Sequence, residues 1–197
     1  MGDHNGDGKA DIIWRHNSLG TLWYYQMDGT RFAAMGKITT VSNKDWQVVA
    51  SPDLNGDGKA DLLWRNTETG QTWAYIMDGR TIVDSYPLMT VYPSWEIKFA
   101  KDFDGDGDDD LFWHHPRGDM YVYLLDSGHI DWNARRYMGR IDPGFGFSAD
   151  FDGDGDDDIL YKEYSDDAYK VFVMDGLSMD LTKLPFDAFQ LDAYWEI

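Results

Sequence analysis

An all-β fold assembled from four copies of one unit is what this sequence predicts, and three observations carry that expectation. The segment Asp3-His4-Asn5-Gly6-Asp7-Gly8-Lys9-Ala10-Asp11-Ile12-Ile13-Trp14 returns at 53–64, 102–113 and 150–161, the first aspartates lying 50, 49 and 48 residues apart. A second landmark follows each copy: Tyr25-Gln26-Met27-Asp28-Gly29, Tyr75-Ile76-Met77-Asp78-Gly79, the looser Tyr123-Leu124-Leu125-Asp126-Ser127-Gly128, and Phe172-Val173-Met174-Asp175-Gly176. No segment sustains a 3.6-residue apolar period, whereas short alternating runs rich in aromatic residues sit between the landmarks.

The second copy shows how each element is expected to arise. Trp46 to Ala50 is a short apolar strand, and Leu62 to Asn66 is a second, launched directly from the acidic loop. Gln71 to Met77 alternates as half-buried strands do. Asp78-Gly79 suits a two-residue hairpin turn that needs positive φ. Arg80 to Tyr86 makes the fourth strand, and Pro87 and Pro93 punctuate the link onward. Four strands in about 40–50 residues is the size of one propeller blade. The sequence therefore predicts a single repeat domain over 1–197, a β-propeller of four blades, forming a closed ring or half of a larger ring. The tail, Tyr194-Trp195-Glu196-Ile197, matches the strand that precedes the loop elsewhere, as in Trp95-Glu96-Ile97-Lys98. It is expected to complete the first blade, which opens at its loop.

Composition narrows the partners. Thirty-six acidic against seventeen basic residues give a formal charge of −19, which repels nucleic acid and anionic membranes. No run of apolar residues is long enough to insert into a membrane as a helix. The absence of cysteine excludes disulfides, thiolate metal sites and thiol nucleophiles.

The acid is concentrated in four loops, 3–11, 53–61, 102–110 and 150–158. Positions 1, 3, 5 and 9 offer side-chain oxygens, and position 7 offers its backbone carbonyl. The predicted metal ligands are thus Asp3, Asn5, Asp7, Lys9 and Asp11; Asp53, Asn55, Asp57, Lys59 and Asp61; Asp102, Asp104, Asp106, Asp108 and Asp110; and Asp150, Asp152, Asp154, Asp156 and Asp158. Hard oxygens on one short loop suit calcium rather than magnesium or a soft metal. An EF-hand is excluded, because its position 12 requires glutamate and helices must flank the loop; here that position holds Trp14, Trp64, Trp113 and Tyr161, and a strand follows. Four calcium ions, one per repeat, would bring the formal charge from −19 to −11 and staple a chain that has no disulfides.

These loops, the strand ending in tryptophan and the Met-Asp-Gly turn resemble the FG-GAP/VCBS-type repeats of bacterial secreted propellers, and the loops are similar to those of integrin α-subunit propellers. The resemblance implies propeller blades, secretion to the extracellular space and loop-bound calcium. It implies less about ligand, since members include lectin-like binders, cell-adhesion modules and non-catalytic appendages of polysaccharide-degrading enzymes; the expected ligand is a glycan or a cell-surface protein. Two departures stand out: four units where relatives carry seven or eight, and Pro143 and Tyr161 where tryptophan is due.

Most tryptophans recur at repeat-equivalent positions and are expected to pack between units. Trp132 falls outside the landmarks and is a candidate ligand platform. The residue after the loop-strand aromatic is basic in every copy: Arg15, Arg65, His114 and Lys162. Of these, Arg15, Arg65 and His114 join Trp132 as the candidate ligand-binding set. The sequence shows no metalloprotease spacing, nucleophile elbow or phosphate loop. The expected function is a secreted, non-catalytic binding module, either a monomer or a ring-closing homodimer. The alternatives are a piece of a polysaccharide-degrading enzyme or a structural repeat unit of a large adhesin.

Overall fold

The computed structural model describes residues 1–140, 143–163 and 168–180. These residues form four separate antiparallel sheets, each made from strands consecutive in the chain. The first sheet has three strands, β1 (Ile12–Arg15), β2 (Thr21–Asp28) and β3 (Arg31–Thr40). The second has four: β4 (Trp46–Ala50), β5 (Leu62–Asn66), β6 (Gln71–Asp78) and β7 (Thr81–Thr90). The third contains β8 (Glu96–Lys101), β9 (Asp110–His114), β10 (Asp119–Asp126) and β11 (His129–Arg140). The fourth contains β12 (Pro143–Ala149), β13 (Asp158–Glu163), β14 (Ala168–Asp175) and β15 (Ser178–Asp180).

The all-β class and the strand content of each repeat follow the pattern read from the sequence; the propeller does not. The sheets are open and none closes into a ring, so the closed four-bladed propeller and the half-ring are both corrected to a series of open sheets. A repeat dictates the antiparallel meander inside each unit. Closure depends instead on the angle between successive units, which strand pattern does not encode. The lectin-like and cell-adhesion description tied to propeller geometry falls with it. Residues 194–197, expected to complete the first sheet, lie outside the described residues.

Two smaller differences appear in the second sheet. Strand β7 continues to Thr90 through Pro87, which a sheet's outermost strand tolerates because its outward N–H is not needed. The hairpin loop is Gly79-Arg80 rather than Asp78-Gly79: Asp78 pairs with Thr81, and Gly79 supplies the positive φ of 56°.

The chain divides into two compact units. One comprises Met1–Pro93 with Ser127–Ile130, and the other Ser94–Asp126 with the described residues from Asp131 onward. Within the first, the sheet-one face that carries Ile13 and Leu22 packs on the sheet-two face of Leu62, Trp64 and Met77. Within the second, Phe112, Met120 and Val122 of sheet three pack on Ile159, Tyr161, Phe172 and Met174 of sheet four. The packing rule is the same in both units. Because side chains alternate across a strand, each sheet offers one face bearing the loop-strand aromatic and one bearing its predecessor in sequence. The predecessor face of one sheet covers the aromatic face of the next.

Candidate metal centre

Each acidic loop folds around its own first aspartate. Asp3 Oδ1 accepts from the Gly6 N–H at 2.8 Å and Oδ2 from the Gly8 N–H at 2.6 Å. Asp102 repeats the pattern with Gly105 at 2.7 Å and Gly107 at 2.9 Å, and Asp150 with Gly153 at 2.6 Å and Gly155 at 3.2 Å. Asp53 accepts from Gly58 at 2.7 Å. The donor glycine five residues on has φ of 81°, 80°, 96° and 107° in the four loops, a backbone region that side chains with a Cβ rarely adopt. This is the physical reason for the recurring Asp-Gly pair.

The position 9 aspartate does something the sequence reading missed. Asp11, Asp61, Asp110 and Asp158 are fully buried. In each, one carboxylate oxygen accepts from the backbone N–H of loop position 2, and the other accepts from the residue before the Asp-Gly or Asp-Ser turn. Asp61 takes Leu54 at 3.0 Å and Met77 at 2.8 Å; Asp110 takes Phe103 at 2.9 Å and Leu125 at 2.7 Å. Asp158 takes Phe151 at 2.8 Å and Met174 at 2.9 Å, and Asp11 takes His4 at 3.3 Å and Met27 at 2.9 Å. The first loop adds the Tyr24 hydroxyl, which donates to Asp11 at 2.7 Å. These carboxylates staple the loop to the strand after the one it launches: β2, β6, β10 and β14. The signal was present in the spacing of 16 residues from Asp11 to Met27, Asp61 to Met77 and Asp158 to Met174, and of 15 from Asp110 to Leu125, but only the fold reveals that the later residue contributes its N–H.

Position 7 reinforces the same junction. Lys9 pairs with Asp28 at 3.0 Å and Lys59 with Asp78 at 3.1 Å, both on the surface. In the fourth loop Asp156 instead accepts from the Gly176 N–H at 3.2 Å. Successive loops also interlock within each unit: Ala60 donates to the Asp3 carbonyl at 2.6 Å and Gly79 to the His4 carbonyl at 2.6 Å. Asp157 and Gly176 donate likewise to Asp102 and Phe103, at 2.6 and 2.9 Å.

Two groups of carboxylates among the described residues gather tightly enough to hold a cation: Asp102, Asp104 and Asp106, and Asp150, Asp152 and Asp158, with ligand oxygens within 4.8 Å of one another. Of the four sites expected, one per repeat, two are seen as carboxylate clusters among the described residues. The difference lies at position 3, which is Asp104 and Asp152 in the later loops but Asn5 and Asn55 in the earlier ones. The donor set fits a hard divalent ion. The Oδ1 atom of Asp104 is buried with no protein hydrogen-bond partner, as is that of Asn55.

Burial governs the titration of this region. It pushes Asp61 up to about 7 and Asp110 up to about 8, against the pull of the two backbone donors that each accepts. Burial and the neighbouring Asp106 push Asp104 up to about 6. A carboxyl whose folded pKa exceeds the ordinary value of 3.8 holds its proton more tightly in the folded chain than in the unfolded one. Stability is then full below about pH 4 and is lost as pH rises through the folded values. Cation-stripped protein should therefore resist urea less at pH 8 than at pH 5, and saturating calcium should flatten the slope. Stability that increased from pH 5 to pH 8 in stripped protein would contradict this account.

The ligand-binding set is placed differently. Arg65 is buried, and its guanidinium donates to the carbonyls of Gly70 at 2.8 Å, Tyr92 at 2.9 Å and Val91 at 3.1 Å. Arg15 donates to the carbonyls of Val41 at 2.8 Å and Asn43 at 2.9 Å, and to that of Trp46. Both clamp the link that leaves their own sheet. The clamp needs Gly70: its φ is 71°, and a Cβ there would sit 1.8 Å from the Val91 carbonyl oxygen. His114 is buried, whereas Trp132 is 53% exposed, with the Arg135 guanidinium 5.8 Å from its ring centroid. Of the recurring aromatics, Trp64 and Trp113 are buried as expected, but Trp14 is 61% exposed. Trp46, Trp64, Trp73 and Tyr75 also line a cavity of about 220 Å³ in the first unit.

Comparison with known proteins adds a family link and a fold. The FG-GAP-like repeat family matches residues 3–64, which span the first repeat and the second acidic loop up to Trp64. No curated protein matches the chain. Among solved structures, a chain of the Photorhabdus luminescens Tc holotoxin pore is similar over 86% of this chain, with a TM-score of 0.56 and 16% identity. The present chain spans 9% of that chain's length. No described helix is long and apolar enough to cross a membrane.

Proposed function

We propose that this chain is a non-catalytic, calcium-ordered repeat segment of a larger exported protein, with a structural role. The observation that carries this reading is the shared loop architecture. Four acidic loops fold on the same internal hydrogen bonds, and each is stapled by a buried aspartate to its own sheet. Such loops hold a scaffold together without presenting a reactive group. The similarity to a small part of a very long chain in a toxin assembly supports a place within a larger protein. That assembly favours an exported setting over a cytoplasmic one.

In this reading Asp102, Asp104 and Asp106 hold one calcium ion, and Asp150, Asp152 and Asp158 hold another. Asp3, Asn5 and Asp7, and Asp53, Asn55 and Asp57, hold two further ions with one fewer negative charge each. When bound, the ion neutralises carboxylates that otherwise repel one another. Calorimetric titration of stripped protein should therefore resolve two tighter equivalents and two weaker ones. Asn55→Asp should move one weak equivalent toward the tight class. Four indistinguishable sites, or no calcium uptake at all, would refute the assignment.

A further inference from the structure

The aromatic face of sheet two is not filled along its whole length. Val41, Trp46, Trp64, Trp73, Tyr75 and Ser85 line the cavity of about 220 Å³ in the first unit. Register explains the lining: Trp64 of β5 pairs with Trp73 of β6, and Tyr75 pairs with Ser85 of β7, so these four side chains share one face. The rings stand edge to face. Trp46 meets Trp73 with centroids 6.3 Å apart at 87°, and Trp64 meets Tyr75 at 5.5 Å and 60°. Sheet four shows the closed alternative. There Tyr161 and Phe172 hold the places of Trp64 and Tyr75 and stack with centroids 4.0 Å apart at 12°, while Lys170 stands where Trp73 does. The cavity opens at Trp73 and Ser85, whose hydrogen bond of 2.8 Å is solvent-exposed. Sheet one contributes Val41, just past β3; a further strand on that sheet would join at β1, the opposite edge.

The polar groups around this cavity are donors. Trp64 is 2% exposed, and its Nε1 has no protein hydrogen-bond partner. Arg15 holds its guanidinium 5.3 Å from the Trp64 ring centroid, and its Nε is likewise buried without a partner. Ser85 Oγ accepts from the Trp73 Nε1–H, which leaves the hydroxyl proton to donate. Burial pushes the Tyr75 phenol above its ordinary value, so it keeps its proton and donates as well. Among the described residues that line the cavity there is no carboxylate and no side-chain amide. A matching ligand therefore brings acceptors, few donors and a compact apolar body.

We propose that this cavity binds a proline-rich peptide segment in the extended polyproline conformation. Proline supplies what the wall calls for: a compact ring to sit between standing indoles, a carbonyl that accepts, and no N–H. Its carbonyls give Trp64 Nε1 the acceptor that the protein does not. Such a segment is already extended in solution, so ordering it on binding costs little. An ordinary peptide or a sugar brings N–H or O–H groups into a wall of donors, and each one buried without an acceptor is penalised. An organic cation, the usual guest of an aromatic cage, is opposed by the Arg15 guanidinium over Trp64. The chain's charge of −19 selects against acidic flanks on the peptide. This binding role goes beyond the scaffold role of the acidic loops.

Tryptophan fluorescence titration with an acetylated, amidated oligoproline of about eight residues tests the proposal, with a Gly-Ser peptide of equal length, maltotriose and choline as comparison probes. Oligoproline should give a saturable change and the other three none. In a spectrum of nitrogen-labelled protein the Trp64 Nε1–H resonance should move with oligoproline and that of Trp132 should not. Trp73→Ala should weaken binding at least about 10-fold. Ser85→Leu, which blocks the exposed mouth and leaves every ring in place, should do the same, whereas Trp132→Ala should leave binding unchanged. An unchanged cooperative melt shows that each variant folds, and Ser85→Leu decides the matter if Trp73→Ala does not fold. Absence of saturable binding at millimolar oligoproline overturns the proposal. So does equal binding of the Gly-Ser peptide, binding of maltotriose or choline in place of oligoproline, or oligoproline binding that survives Ser85→Leu. None of these outcomes depends on how many calcium ions the loops hold.

Discussion

Removal of divalent cations is expected to lower the unfolding temperature by about 10–20 °C. Two sites filled at a hundredfold excess over their dissociation constants contribute about 2.7 kcal/mol each by mass action. For a chain of this size each kcal/mol shifts the midpoint by about 2–4 °C. The physical source is the crowding of Asp102, Asp104 and Asp106, and of Asp150, Asp152 and Asp158, with oxygens within 4.8 Å of one another. The loss should spread beyond the loops, because Asp157 and Gly176 of the fourth repeat donate to the backbone carbonyls of Asp102 and Phe103 in the third. Calcium should restore the midpoint, and magnesium should restore only part of it, since it demands tighter octahedral geometry and keeps its own water. A differential scanning measurement with and without chelator checks this. An unchanged melt, with no calcium in the purified protein by elemental analysis, would remove calcium from the account.

Strand content was legible because it is locally specified. Leu62 to Asn66 and Trp46 to Ala50 are bounded by loop and turn residues that permit no extension, and both strands appear with those limits. Local pattern fails where a feature depends on neighbours far along the chain. Pro87 reads as a terminator, yet β7 runs through it, since an outermost strand does not need that N–H. Arg65 reads as a surface cation able to meet a ligand, yet burial turns it toward the carbonyls of Val91 and Tyr92, 26 and 27 residues on. Ring closure was the most distant inference of all, and it did not survive. The candidate centre divides along the same line. Loop spacing identifies the oxygen donors, and residue type already separates Asp104 from Asn55, but which oxygens gather around one point is set by the folded loop. Asp104 and Asn55 differ in charge, and charge decides which loops form a carboxylate cluster.

The second large effect concerns the buried aspartates, and it separates a staple from a ligand. Asp61→Ala leaves the N–H groups of Leu54 and Met77 without their acceptor, and Met77 lies in the core between sheets one and two. An unsatisfied buried donor costs about 1–3 kcal/mol, so the pair should cost about 4 kcal/mol. Asp57→Ala supplies the contrast. Its side chain is exposed, and within the loop it accepts from the Lys59 N–H at 2.9 Å. In cation-stripped protein that variant should lose less than about 1 kcal/mol. Asp61→Asn should fall between the two, since the amide oxygen can still accept from one N–H while its NH2 faces the other donor. The measurement is urea unfolding of all three variants beside wild type, without divalent cations and at pH 5, where wild-type Asp61, at about 7, is largely protonated. A large loss confined to the Asp61 variants marks that carboxyl as part of the fold whether or not an ion is bound. Equal small losses at Asp57 and Asp61 would mean that the buried carboxyl serves only the cation, and that the link between loop and sheet is carried by other contacts.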